Sequence, residues 1–257
     1  MLIAVNAGNS RVLLGGYEED GQVFSASIAT EPKLTRDDYA CKLQQVLLLY
    51  GVNVRRIHGG IVSPVVQSMV GVLEGALRLL GIRDGIEVSS GVKTGLNIRS
   101  EQPRQVGSDR VAAAVAARAK GKLPCVAITL GTATTFTALD QSGALVGSAI
   151  TAGVQLSLLA LREQAAQLPA VAIDAKDEGI LARNTVDAMR VGAVYGAASL
   201  VDGMVERFAE ALGETPYVVL TGELAPLVTP YLRIPFEYDE SLVLDGLHLI
   251  WKKNRGN

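Results

Sequence analysis

Two apolar runs flanking a glycine-containing polar turn open the chain, and the same arrangement returns 123 residues later. The first is Leu2-Ile3-Ala4-Val5, then Asn6-Ala7-Gly8-Asn9-Ser10, then Val12-Leu13-Leu14. The second is Val126–Leu130, then Gly131-Thr132-Ala133-Thr134, then Thr135–Leu139. Sliding the sequence by that offset places Gly8 on Gly131 and Ser10 on Ala133. Each pattern reads as a β-hairpin, each is followed by a third short strand and then by α/β segments, and no linker separates the halves. The expectation is an α/β fold of two similar lobes, residues 1–118 and 119–257, facing across an interlobe cleft to which each offers one glycine turn. A G-x-x-S/T turn alone is as compatible with a structural hairpin as with a ligand cradle, so spacing leaves both open.

Between the hairpins, Val23–Ala29 reads as a third strand. Thr35 with Asp37 and Asp38 opens a helix whose apolar positions Tyr39, Leu43, Val46, Leu47 and Tyr50 recur at helical spacing until Gly51. A buried strand is expected at Ile57–Val62 and a helix at Val65–Leu80. The stretch Val92–Gly107 has no clean period and reads as a long irregular loop, a kind of segment that often carries function. Ser108 and Asp109 can cap an Ala-rich helix running to Ala119. Later helices are expected at Gly153–Gln167 and at Thr185–Leu212, the latter interrupted by glycines, with a strand at Tyr217–Thr221 and a helical tail at Leu242–Trp251.

Composition narrows the function classes. Lys plus Arg is 24 against 26 for Asp plus Glu, and the isoelectric point near 5.8 is unlike that of a globally basic nucleic-acid binder. With 49% hydrophobic and 19% charged residues the chain has the makings of a compact soluble protein. Cys41 and Cys125 have no paired spacing and only His58 and His248 beside them, which argues against a zinc site. No segment reaches the ~20 uninterrupted apolar residues of a membrane span. Met1–Val5 lacks the basic flank of a signal peptide, so a cytoplasmic location is expected.

Read in order, further stretches carry a specific resemblance: Lys93-Thr94-Gly95-Leu96, Pro103-Arg104-Gln105-Val106-Gly107-Ser108-Asp109-Arg110, Gly131-Thr132-Ala133-Thr134-Thr135-Phe136, Arg183-Asn184-Thr185, Leu200-Val201-Asp202-Gly203 and Thr221-Gly222-Glu223-Leu224-Ala225-Pro226. With Asn6–Ser10 they span nearly the whole chain. The sequence resembles the type III pantothenate kinases, which belong to the superfamily of acetate and sugar kinases, heat-shock ATPases and actin. The resemblance implies two ribonuclease H-like lobes, phosphorylation of pantothenate by ATP, a Mg2+ ion on the phosphates, a nearby monovalent cation (K+ or NH4+), and a homodimer with the substrate at the subunit interface.

It also assigns roles. Asp109 corresponds to the general base for the substrate hydroxyl; a loop carboxylate at a helix start suits that role, and equally suits a plain N-cap. Arg110 would neutralise phosphate or anchor substrate, or be a surface cation. Gly8, Asn9, Ser10 and Arg11 would wrap ATP phosphates, as would Gly131 and Thr132, and Gly222 would lie under the adenosine; glycine permits the close approach. Gly107, Ser108 and Thr185 would contact substrate, Thr185 doubling as a helix cap.

Three departures stand against these matches. The family carries aspartates where this chain has Asn6 and Thr129, and those carboxylates hold the cations. An amide and a hydroxyl can touch Mg2+ but cannot neutralise it. The third is Ser100, which stands where the family usually has a tyrosine beside the substrate; in addition, Thr137 replaces a common aspartate. Three readings therefore remain: a pantothenate kinase with weakened cation sites, a silent member that binds a nucleotide or partner as a regulator, and a superfamily phosphatase or ATPase with another substrate.

Overall fold

A computed structural model describes residues 1–165, 167–173 and 179–255. Its strands are β1 (Leu2–Ala7), β2 (Arg11–Glu18), β3 (Gly21–Ala29), β4 (Gly59–Pro64), β5 (Gly85–Glu87), β6 (Cys125–Leu130), β7 (Ala133–Leu139), β8 (Leu145–Ala152), β9 (Tyr217–Thr221) and β10 (Glu237–Tyr238). Its helices are α1 (Arg36–Leu49), α2 (Val70–Leu79), α3 (Ser108–Ala119), α4 (Val154–Gln164), α5 (Thr185–Leu212), α6 (Ala225–Val228) and α7 (Leu242–Arg255).

The strands form two five-stranded sheets, ordered β3-β2-β1-β4-β5 and β10-β9-β6-β7-β8. In both, the first strand pairs antiparallel with the second and parallel with the fourth. The internal repeat and the two-lobed mixed α/β architecture expected from the sequence are thus present. β1 and β6 are central, and their unbroken apolar runs suit strands covered on both faces. Asn6 sits opposite Leu13 and Ser63, and Thr129, its counterpart in the repeat, opposite Thr135 and Thr221.

The chain divides into one unit of Met1–Ala119 with Ser241–Asn257, and a second of Lys120–Glu240. The first unit ends at Ala119 and takes in the helical tail from Ser241, which the sequence reading places in the second lobe. The reason lies in helix packing. α3 presents the buried alanines Ala112, Ala113, Ala116 and Ala117, and α7 buries Leu242, Leu247, Ile250 and Trp251. Gly246 lets the two backbones meet, because a Cβ there would lie 1.9 Å from the Ala112 carbonyl oxygen. Gly246→Ala should therefore lower stability by about 1–3 kcal/mol, read as a fall in melting temperature, since a backbone group must move to admit the methyl.

Other boundaries moved for local reasons. Val65 and Val66 donate their N–H groups to the Ala7 carbonyl, so helix α2 starts only at Val70, after a 3₁₀ turn at Gln67–Met69. β4 runs from Gly59 rather than Ile57, because Ile57 closes a 3₁₀ turn at Val54–Arg56. α4 ends at Gln164; the expected continuation to Gln167 crosses Ala166, outside the described residues. Despite its glycines α5 is one 28-residue helix, ended by Gly213 at φ 80°. Thr35 caps α1 as expected, in a reciprocal pair with Asp38 whose hydrogen bonds hold that carboxyl below its usual value. No described helix is long and apolar enough to cross a membrane.

Candidate active site

In the first unit, β1 ends at a tight turn. The Gly8 N–H donates to the Arg11 carbonyl at 2.9 Å, and a Cβ on Gly8 would press on that same oxygen. Thr30 secures the turn from β3's end, its N–H on the Ser10 carbonyl at 3.0 Å and its hydroxyl on the Gly8 carbonyl at 2.7 Å. Asn9, Ser10 and Arg11 are exposed at the tip. Two residues before the glycine, the side-chain oxygen of Asn6 is buried and has no hydrogen-bond partner among the described residues. A buried acceptor left unpaired is costly and calls for a ligand or a reason.

β4 carries the second part of this site. Buried Ser63 donates its hydroxyl to Ser108 at 2.9 Å, and Ser108 donates to the Pro64 carbonyl at 3.2 Å. The Ser108 hydroxyl thereby ties the start of α3 to β4 instead of capping the helix. Asp109 is the second residue of α3 and lies within its first turn. Its carboxyl lies so near Gly107 that a Cβ there would be 2.6 Å from Oδ1. Burial pushes this carboxyl above its ordinary value, against the opposing pull of the Arg110 N–H and the Arg110 charge. A carboxylate made more basic by desolvation at a positive helix terminus is suited to accept a proton.

The N-terminus of α3 borders a cavity of about 740 Å3 within the first unit. Its walls include Pro64, Gln67, Ser89, Thr94, Arg104 and Gly107–Ser108. The irregular 92–107 stretch thus supplies much of a binding-sized cavity. Neither Ser89 nor Gln67 is expected here: Ser89 follows β5, too short at three residues to show a pattern, and Gln67 lies in the 3₁₀ turn where the sequence predicts helix. Ser100 is not part of the wall; it is exposed and accepts a hydrogen bond from the Gln102 N–H at 3.3 Å.

The second unit repeats the strand-end turn with tighter packing. Gly131 N–H donates to the Ala133 carbonyl, Gly153 N–H to the Thr132 carbonyl, and Leu224 N–H to the Leu130 carbonyl. A Cβ on Gly153 would lie 2.0 Å from the Gly131 oxygen, and one on Gly222, at φ 111°, would lie 2.3 Å from the Leu130 oxygen. Thr129, Gly131, Thr132 and Gly222 therefore converge on the end of β6. Thr185 stands apart from them. It is the first residue of α5, whose cap is Asn184, the acceptor of the Asp187 N–H at 2.9 Å. Thr185 instead lines an apolar groove of about 400 Å3 with Leu158, Leu161, Met189 and Gly192.

Among the described residues no group of three or more His, Cys, Asp or Glu side chains could hold a metal ion. Asn6 offers one neutral oxygen and Thr129 a hydroxyl. Either one suits a cation that brings its own anionic ligands, as the phosphates of ATP would, and neither suffices for a resident divalent metal.

The family description "Type III pantothenate kinase" matches residues 2–207. A protein of that name from Geotalea daltonii is 37% identical over 99% of both chains, and another from Pelobacter propionicus is 38% identical over 99% of this chain and all of its own. Among solved structures, component A of (R)-2-hydroxyglutaryl-CoA dehydratase from Acidaminococcus fermentans superposes with a TM-score of 0.57 at 12% identity, covering 98% of each chain, a likeness of fold. The chain belongs to the type III pantothenate kinase family.

Proposed function

We propose that this protein transfers the γ-phosphoryl group of ATP to a hydroxyl of pantothenate, the opening step of coenzyme A synthesis, and does so slowly. The observation that carries the reading is Asp109, a carboxyl made more basic by burial in the first turn of α3 beside the large cavity. Asp109 takes the hydroxyl proton as the substrate oxygen bonds to the γ-phosphorus, the bond to the bridging β–γ oxygen breaks, and ADP leaves with that oxygen. The proton then passes to solvent. Arg110 neutralises phosphoryl charge, the exposed Gly8–Arg11 turn and the Gly131–Thr132 turn bind ATP phosphates through backbone N–H groups, and Gly222 gives the adenosine room. A phosphate-bound Mg2+ would supply charge neutralisation, and Asn6 and Thr129 would each offer it, or K+ or NH4+, one neutral oxygen at the end of its own unit's central strand. Incubating the protein with ATP, Mg2+, K+ and pantothenate and scoring phosphopantothenate tests the reading.

A second reading is favoured by one observation, the unpaired Asn6 oxygen where the family has a carboxylate. In it the protein binds ATP or pantothenate and regulates a partner without transfer. Binding of both substrates with no phosphopantothenate would select it.

The protein is further proposed to be a homodimer through α4 and α5. Among the described residues nothing lies within 4 Å of a would-be Cβ on Gly192 or Gly196, so packing against those residues gives them no purpose in a helix interior that glycine weakens. Leu156, Leu159 and Leu161 are exposed nearby on α4. Sedimentation should give twice the 27.0 kDa chain mass, and Gly192→Leu should reduce it to that mass. A wild-type monomer at micromolar concentration contradicts the dimer.

A further inference from the structure

The Lys93-Thr94-Gly95-Leu96 stretch has no part in the chemistry above, yet it is held unusually firmly for an irregular segment. Asn254, near the end of α7, bonds both backbone groups of Lys93: its Oδ1 accepts from the Lys93 N–H at 3.2 Å, and its Nδ2 donates to the Lys93 carbonyl at 2.9 Å. The same Nδ2 donates to the Ile250 carbonyl at 2.7 Å, which fixes the amide on its own helix. Arg118, at the end of α3, donates to the Gly95 carbonyl. The Lys253 side chain lies against Gly95, where a Cβ would come within 2.7 Å of Lys253 Cε, and Gly95 adopts φ 75°.

On the other side of this stretch, Val92, Thr94, Leu96 and Ile98, every second residue, line the 740 Å3 cavity. The intervening Lys93 and Gly95 are the ones held by α7 and α3. A wall made of irregular chain has no ladder of its own to fix it, and only a side chain with both a donor and an acceptor can clamp both backbone groups of one residue.

We infer that Asn254 is a positioning residue for the substrate: by clamping Lys93 it sets the cavity wall formed by Val92, Thr94 and Leu96, and so governs pantothenate affinity without touching the reacting atoms. The inference rests on the proposed activity and assigns this cavity to pantothenate. It also gives the C-terminal helix a task that its position in the sequence, remote from every motif, does not suggest.

The test compares wild type, Asn254→Ala, Asn254→Gln and the exposed control Lys252→Ala. Loss of both clamping bonds should raise the pantothenate KM at least about fivefold in Asn254→Ala, while kcat and the KM for ATP change less than about twofold. Amides of residues 93–96 should exchange faster, and Asn254→Gln, which keeps both functions one methylene further out, should recover part of the KM. Lys252→Ala should match wild type. An unchanged pantothenate KM in Asn254→Ala, or kcat and both KM values altered together, overturns the inference and leaves the proposed activity standing. A wild-type protein that neither phosphorylates nor binds pantothenate, by calorimetry, overturns the proposed activity and the inference with it.

Discussion

Asp109→Asn is expected to lower phosphoryl transfer by about 10²–10⁴-fold and, in the same protein, to raise the melting temperature at neutral pH. The loss follows from removing the proton acceptor while keeping its size. The gain follows from the direction of the pKa shift. Burial raises the Asp109 carboxyl above its unfolded value of 3.8, so folding disfavours the ionised form. The stability this group contributes is fully present below the unfolded value and is lost as pH rises through the raised folded value. At pH 7 the wild type carries that penalty and the amide does not. The difference in melting temperature should therefore shrink as pH falls toward 3.8, and kcat/KM of the wild type should rise with pH through the raised Asp109 value. Equal melting temperatures for the two proteins at pH 7 would show that the carboxyl is not strained by its burial.

Asn6→Asp combined with Thr129→Asp should raise Mg2+-dependent turnover by at least about 10²-fold, since a lost electrostatic contact to the transferring phosphoryl typically costs 10²–10³ and each substitution restores one negative charge. A second readout does not depend on turnover. Asn6 is buried, so a carboxylate there without a cation costs stability, and the double variant should melt below wild type in the absence of ligand. Saturating Mg2+ and ATP should then stabilise the variant more than they stabilise wild type. Adding Asp109→Asn to the double variant should abolish the recovered activity. An equal thermal response to Mg2+ and ATP in both proteins would mean that these positions do not face the cation.

Much of this architecture is legible in the sequence because β1 and β6 are central strands. Burial on both faces demands uninterrupted apolar runs, and the turn that ends the first demands Gly8, where a Cβ would press on the Arg11 oxygen, so the repeat survives as a visible pattern. The capping pair Thr35–Asp38, strand Tyr217–Thr221 and helix Thr185–Leu212 are legible for similarly local reasons. What the sequence conceals depends on contacts between distant segments. The seat of α7 against α3 depends on one glycine meeting one carbonyl, and nothing in the α7 pattern names its partner. Val65 and Val66 have helical neighbours but bond to Ala7, 58 or more positions earlier in the chain. At the site, Asp109 and Gly107–Arg110 were readable as a motif, whereas the cavity walls from Gln67 and Ser89, and the clamp from Asn254, come from positions with no local signature. Thr185 was readable as a helix start, but its neighbour Asn184 does the capping.

The most direct measurement is the rate of phosphopantothenate formation by the unmodified protein at saturating pantothenate, ATP, Mg2+ and K+. The account predicts that product forms above the enzyme-free control, at a turnover well below the ~1–100 s⁻¹ usual for kinases, and that Asp109→Asn removes it. Turnover at an ordinary kinase rate would contradict the cost assigned to Asn6 and Thr129. No product above the control, with both substrates bound, would contradict the central claim that this protein is a catalyst.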